Sequence, residues 1–125
     1  MATFTATLPH EHPVLFLSDP YADEAIPEDT SASFVTATPT CVAFRIRAYV
    51  DGETKVVLSD QPSEGTPSFT GRLATKERCL SLSDSNRHNY IMVPVSEDEV
   101  AIQIWADQED DPDWVWVQIG SMAVF

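Results

Sequence analysis

The sequence predicts an all-β fold, a single-domain antiparallel β-sandwich of about eight strands. No stretch shows a 3.6-residue apolar period, while several short runs rich in β-branched and aromatic residues repeat every second residue. Nine prolines and four glycines punctuate those runs. Strands at short spacing with turn signals between them favour two packed sheets over one. At 125 residues with 43% apolar content, one core and one domain spanning residues 1–125 are expected.

Phe4, Ala6 and Leu8 alternate with threonines in an edge-like strand ended by Pro9, and Val14 to Leu17 is a short apolar run closed by Ser18-Asp19-Pro20. Residues 18–32, rich in Pro, Asp, Glu and Ser, read as a long acidic loop. The next element reads as a hairpin around Asp51-Gly52, with Val42, Phe44, Ile46 and Ala48 on one face and Thr54, Val56 and Leu58 on one face of the second arm. A three-residue loop, Val50 to Gly52 with a left-handed Gly52, would pair Ile46 with Val56 and Phe44 with Leu58. Arg45, Arg47 and Lys55 would then form a basic stripe on the other side.

After a linker marked by Pro62, Gly65 and Pro67, Phe69 to Leu73 and Cys79 to Leu82 read as strands, followed by a turn at Asp84-Ser85-Asn86. The alternating sets Ile91, Val93, Val95, then Val100, Ile102, Ile104, then Val115, Val117, Ile119 give three more, closed by Met122 to Phe125.

Charge is the strongest compositional signal. Twenty carboxylates face seven Lys or Arg for a net −13, and every basic residue lies between Arg45 and Arg87. Residues 1–44 carry six carboxylates and residues 88–125 carry eight. Such a surface repels nucleic-acid phosphate and anionic lipid, so neither nucleic acid nor membrane is an expected partner; a basic protein is the natural complement. Solubility alone is the simpler account of the same charge. Cys41 and Cys79 are expected as free thiols. The absence of a signal-like start and of any transmembrane-length apolar run points to the cytoplasm.

The segment from Trp105 to Trp116 is the most unusual. Its loop, residues 107–113, holds five carboxylates in seven residues: Asp107, Glu109, Asp110, Asp111 and Asp113. These oxygens suit Ca²⁺ in kind, but EF-hand spacing and its glycine are absent and Pro112 interrupts the run, so no metal is assigned. Trp105, Trp114 and Trp116 alternate with the inward valines and isoleucines. Two placements fit that pattern: with Tyr90 on a face away from the core, as an interface or sugar platform, or within the core itself. His10-Glu11-His12 offers two imidazoles without a third ligand, a weak metal signal. No nucleophile elbow, phosphate-binding glycine loop, Cys-x-x-Cys or dinucleotide motif is present, so an enzyme and a cofactor are not expected.

In order, Thr38-Pro-Thr-Cys-Val-Ala-Phe-Arg, the Asp51-Gly52 turn, Thr70-Gly-Arg-Leu73 with Leu80-Ser-Leu-Ser-Asp84, Val93-Pro-Val95 and Val100 to Trp105 form a recognisable layout. Across about residues 35–119 it resembles the competence protein J family of small bacterial nuclease inhibitors and related immunity-type β-sandwich proteins. The resemblance implies an acidic inhibitor that covers the basic active-site cleft of a nuclease or toxin, and it carries over no individual contact residue. The candidate partner-binding set, taken from the acidic, tryptophan-bordered segment itself, is Trp105, Asp107, Glu109, Asp110, Asp111, Asp113, Trp114 and Trp116. The competing readings are a sandwich that binds carbohydrate, Ca²⁺ or both, and a structural or regulatory domain.

Overall fold

Two five-stranded sheets face each other across an apolar core. The computed structural model describes residues 3–8 (backbone), 14–21, 26–27, 33–46, 54–84, 89–110 and 112–121. Along the chain the strands are β1 (Thr3–Leu8), β2 (Val14–Ser18), β3 (Val35–Thr38), β4 (Cys41–Arg45), β5 (Thr54–Ser59), β6 (Phe69–Ala74), β7 (Cys79–Ser83), β8 (Asn89–Pro94), β9 (Glu99–Ala106) and β10 (Trp114–Ile119). Sheet A has the order β1-β5-β10-β9-β6 and sheet B the order β3-β4-β2-β7-β8. The predicted sandwich is present, with ten strands among the described residues, the short β3 included.

Alternation explains how the sheets meet. Val56 and Leu58, Leu73, Val100, Ile102 and Ile104, and Val115, Val117 and Ile119 point inward from sheet A. Leu15, Leu17, Val42, Phe44, Leu80, Leu82 and Val93 answer from sheet B. Burying each such side chain is worth about 1.5–3 kcal/mol, and this face-to-face layer is what holds the two sheets together. On the far side of sheet B a smaller cluster of Phe16, Cys41 and Ala43, with Val14, is also buried.

Two expectations about pairing are corrected. The sheets are not wholly antiparallel, because β10 runs parallel to β5 with Val115 opposite Val56 and Val117 opposite Leu58. The expected hairpin pairing of Ile46 with Val56 and Phe44 with Leu58 does not form. Instead β4 pairs with β2 and β3 in sheet B, while β5 pairs with β1 and β10 in sheet A. Both hydrogen-bonding edges of each strand are thereby taken. The inward faces were read correctly, since Val42, Phe44, Ile46, Thr54, Val56 and Leu58 are all buried. Apolar faces that meet across a core have the same pattern as faces that adjoin within one sheet. Arg45 and Lys55 consequently belong to different sheets and form no hairpin stripe; the turn itself, Arg47 and Ala48 lie outside the described residues.

The expected edge strand at Phe4, Ala6 and Leu8 is the edge strand β1 of sheet A. Cys41 and Cys79 are free. Strand β2 stands between their strands, which places those strands about 10 Å apart, beyond the reach of a disulfide. Strand β8 carries a bulge: Leu82 faces Ile91 but Ser83 faces Asn89, so Tyr90 is the extra residue. That irregularity turns Tyr90 against the core, with its hydroxyl donating to Asp84 Oδ2 at 2.8 Å. Tyr90 therefore sits in sheet B and does not join the tryptophans. The His10-Glu11-His12 motif, Ser85-Asn86 and Met122 to Phe125 lie outside the described residues.

Candidate functional site

The three tryptophans share the outer face of sheet A. Trp116 and Trp105 are directly opposite one another on β10 and β9, Val57 follows next in the row on β5, and Trp114 lies opposite Lys55. Of the two placements open from the sequence, the face away from the core is the one observed. It is not a bare platform, however. Residues 60–68 cross it as a strap: Trp116 Nε1 donates to the Gln61 carbonyl at 2.9 Å and Trp105 Nε1 to the Gly65 carbonyl at 3.0 Å. Trp105 is left only 4% exposed, which closes it to stacking on a sugar ring. Trp114 and Trp116 remain half-buried.

Beyond the strap, at the end of β9, the acidic loop is pinned from within. Asp107 Oδ1 accepts the amide of Asp113 at 2.9 Å and that of Trp114 at 3.4 Å, closing the loop on its own backbone. Buried Thr54 donates its hydroxyl to the Pro112 carbonyl at 2.9 Å, and the Lys55 amide donates to the Asp113 carbonyl at 2.9 Å. Pro112, which interrupts the carboxylate run in the sequence, is buried and serves as a foot of the loop. The tip is thereby pushed outward: Glu109 is exposed, and the Asp110 side chain is 94% exposed with Arg45 Nη2 at 3.7 Å from its Oδ1. Arg45 Nε is buried without a hydrogen-bond partner. Asp111 lies outside the described residues.

The two acidic segments at the ends of β9 do not converge; residues 22–25 and 28–32 of the third, at 18–32, lie outside the described residues. Glu99 opens β9 and Asp107 follows its last residue, so the turn at 97–99 and the loop at 107–113 occupy opposite ends of an eight-residue strand, about 26 Å apart. At the turn end the main chain is bound into the fold, while the Glu97 and Asp98 side chains are exposed. Glu97 and Asp98 offer their carbonyls to Thr75, and Glu99 pairs with Arg72. Asp19 was counted in an acidic loop but is buried, accepting the amides of Tyr21 at 2.9 Å and Glu77 at 2.7 Å. Burial, and second the nearby Asp19 charge, push the Cys79 thiol above its ordinary pKa. Among the described residues no group of three or more His, Cys, Asp or Glu is arranged to hold a metal ion.

The strap and the Arg45 contact were missed at the sequence level. One signal for the strap was available: a connection of about ten residues is long for adjoining strands, and a buried indole needs an acceptor. Nothing local in the sequence joins Arg45 to residue 110.

No protein-family model matches the chain, and no curated protein sequence matches it. A solved structure does share its architecture over nearly all of both molecules. The crystal structure of ComJ, described as the inhibitor of the DNA degrading activity of NucA, from Bacillus subtilis, aligns with a TM-score of 0.67 over 94% of this chain and 95% of that chain, at 8% sequence identity. The likeness foreseen from strand order is therefore one of fold: the chain has the all-β architecture of that nuclease inhibitor, with almost none of its sequence.

Proposed function

We propose that the chain is a protein-interaction module, an inhibitor or immunity protein that binds a basic partner of the nuclease or toxin kind and is not an enzyme. The observation that carries this reading is the pinned loop at the end of β9, which spends Asp107 on its own backbone and presents Glu109 and Asp110 to solvent beside half-buried Trp114 and Trp116. Exposed carboxylates speed the approach of a cationic surface, and adjacent aromatic rings supply the desolvated contact that holds it. Asp111 and Asp113 extend the same acidic run. Trp105, beneath the strap, supports the site without reaching its surface. A fold shared with a nuclease inhibitor supports the same kind of partner.

The test is inhibition of DNA hydrolysis by NucA, and by any nuclease or toxin encoded next to this chain. Stoichiometric loss of hydrolysis is expected for at least one of them, and no inhibition of any would overturn the proposal. Neutralising Asp110, Asp111 and Asp113 together to asparagine should slow association roughly ten-fold at low salt and much less at high salt. A rate insensitive to both substitution and salt would remove the electrostatic part.

A further inference from the structure

Residues 60–68 are bound to sheet A much as a peptide is bound to a receptor. Besides the two indole donors, Gln118 Nε2 reaches the Asp60 carbonyl at 3.4 Å. All three contacts run from side chains of the sheet to main-chain carbonyls of the strap. The strap's own side chains at Gln61, Pro62, Glu64 and Thr66 are exposed. Its ends are tied, by the Gln61 amide to Ser59 Oγ at 3.0 Å and the Ser68 amide to the Ile104 carbonyl at 2.7 Å. Between them, among the described residues, no backbone-to-backbone hydrogen bond joins residues 62–67 to the sheet. Gly65 adopts φ +83°, a left-handed conformation that suits glycine, with open space where a Cβ would stand.

We propose that the outer face of sheet A at Trp116 and Trp105 is a peptide-docking face occupied in the free chain by residues 60–68, and that its partner is an extended, proline-containing peptide segment of another protein. The occupant's chemistry is read from the strap that now fills the face: main-chain carbonyls spaced to meet two indole N–H groups, with prolines at positions 62 and 67 that limit the entropy lost on binding. A bared face returns the two indole donors to water but uncovers the apolar rings of Trp105 and Trp116, which a replacement peptide would cover again. The tethered strap enjoys an effective concentration on the order of millimolar, which makes it the resident occupant until a partner segment is itself held nearby. This inference shares Trp116 with the inhibitor reading but rests on the strap contacts alone, and it survives the failure of that reading.

The test weakens the strap and supplies it in trans. Gly65→Val forces a β-branched residue into φ +83° and loads the strain onto the strap, since no neighbour lies within 4 Å. A second variant replaces residues 61–67 with glycine and serine. The probe is a synthetic peptide with the sequence of residues 58–69, followed by tryptophan fluorescence and acrylamide quenching, with circular dichroism to verify the sandwich. Expected are stronger quenching in both variants and saturable, one-to-one restoration of protection by the peptide, at least ten-fold tighter than to the unaltered chain. Folded variants that stay protected, or that ignore the peptide, would overturn the proposal. So would light scattering that shows a dimer exchanging straps, because the occupant would then be a second copy. If neither variant folds, hydrogen exchange on the unaltered chain decides: strap amides should exchange at least ten-fold faster than those of β9 and β10, and exchange only with global unfolding would refute a strap that lifts.

Discussion

Strand β9 joins two acidic regions that are anchored in different ways. At its start, the acidic turn is knitted to the rest of the molecule: Thr75 binds the carbonyls of Glu97 and Asp98, Arg72 pairs with Glu99, and buried Asp19 caps the amide of Glu77. At its finish, one carboxylate, Asp107, holds the loop while Glu109 and Asp110 stand in solvent. Like residue types, similarly clustered in sequence, are therefore held differently: the turn through main-chain carbonyls and the Arg72–Glu99 pair, with the Glu97 and Asp98 side chains exposed, and the loop through one carboxylate, Asp107.

Removing the buried carboxylate should break the turn end. Asp19→Ala leaves two amides, those of Tyr21 and Glu77, without their acceptor, and a loss of about 1–3 kcal/mol is expected in denaturant unfolding. The same substitution removes one of the influences that raise the Cys79 thiol pKa. Its thiolate fraction at pH 8 should then rise, and its alkylation should quicken in protein verified as folded. A stability unchanged from the parent would mean that the turn end is no more integrated than the loop.

Asp84 sharpens the comparison, because it lies beyond β7 on the loop side and yet is buried. Burial against the core, and second the hydrogen bond and charge of Asp84, push the Tyr90 phenol above its ordinary pKa near 10. A group whose pKa is raised by folding contributes stability that is full below about pH 10 and is lost as pH climbs through the folded value. Unfolding midpoints should accordingly fall above pH 10, and Tyr90→Phe should flatten that fall. At pH 8 the same variant should cost about 0.5–1.5 kcal/mol through the lost hydrogen bond. Burial, then, decides a carboxylate's role more than the end it occupies.

Much of this was legible in the sequence. Period-two alternation identified the inward residues of β9 and β10, because side-chain direction in a strand is a local property, and left the tryptophans open between the outer face and the core. Strand pairing was not local. Asp51-Gly52 flanked by apolar alternation has the same appearance whether the chain turns within a sheet or crosses to the other one, and only the demands of β1, β2, β3 and β10 for partners settle that β4 and β5 part. Tyr90 was misplaced for a related reason: one bulge reverses alternation, and nothing in Asn89-Tyr90-Ile91 announces it. At the candidate site the acidic run and its tryptophan borders were visible. The hydrogen bonds that assign Asp107 inward and Asp110 outward depend on a loop closure that composition does not encode.

The smallest effect is expected within that loop. Asp107→Ala frees the amides of Asp113 and Trp114 and should cost about 0.5–1.5 kcal/mol, since those amides gain water as the loop loosens. Asp110→Asn touches only an exposed contact with Arg45 at 3.7 Å, and should change stability by less than about 0.5 kcal/mol. Measured side by side in denaturant, the two variants separate the residue that builds the loop from one it displays. An Asp110 variant as costly as the Asp107 variant would mean that the Arg45 contact, which links the end of β4 in sheet B to a loop of sheet A, fastens the sandwich at this end. The tip would then be committed to the fold, as the turn at the other end of β9 is, and the charge left for a basic partner would fall to Glu109 and its acidic neighbours.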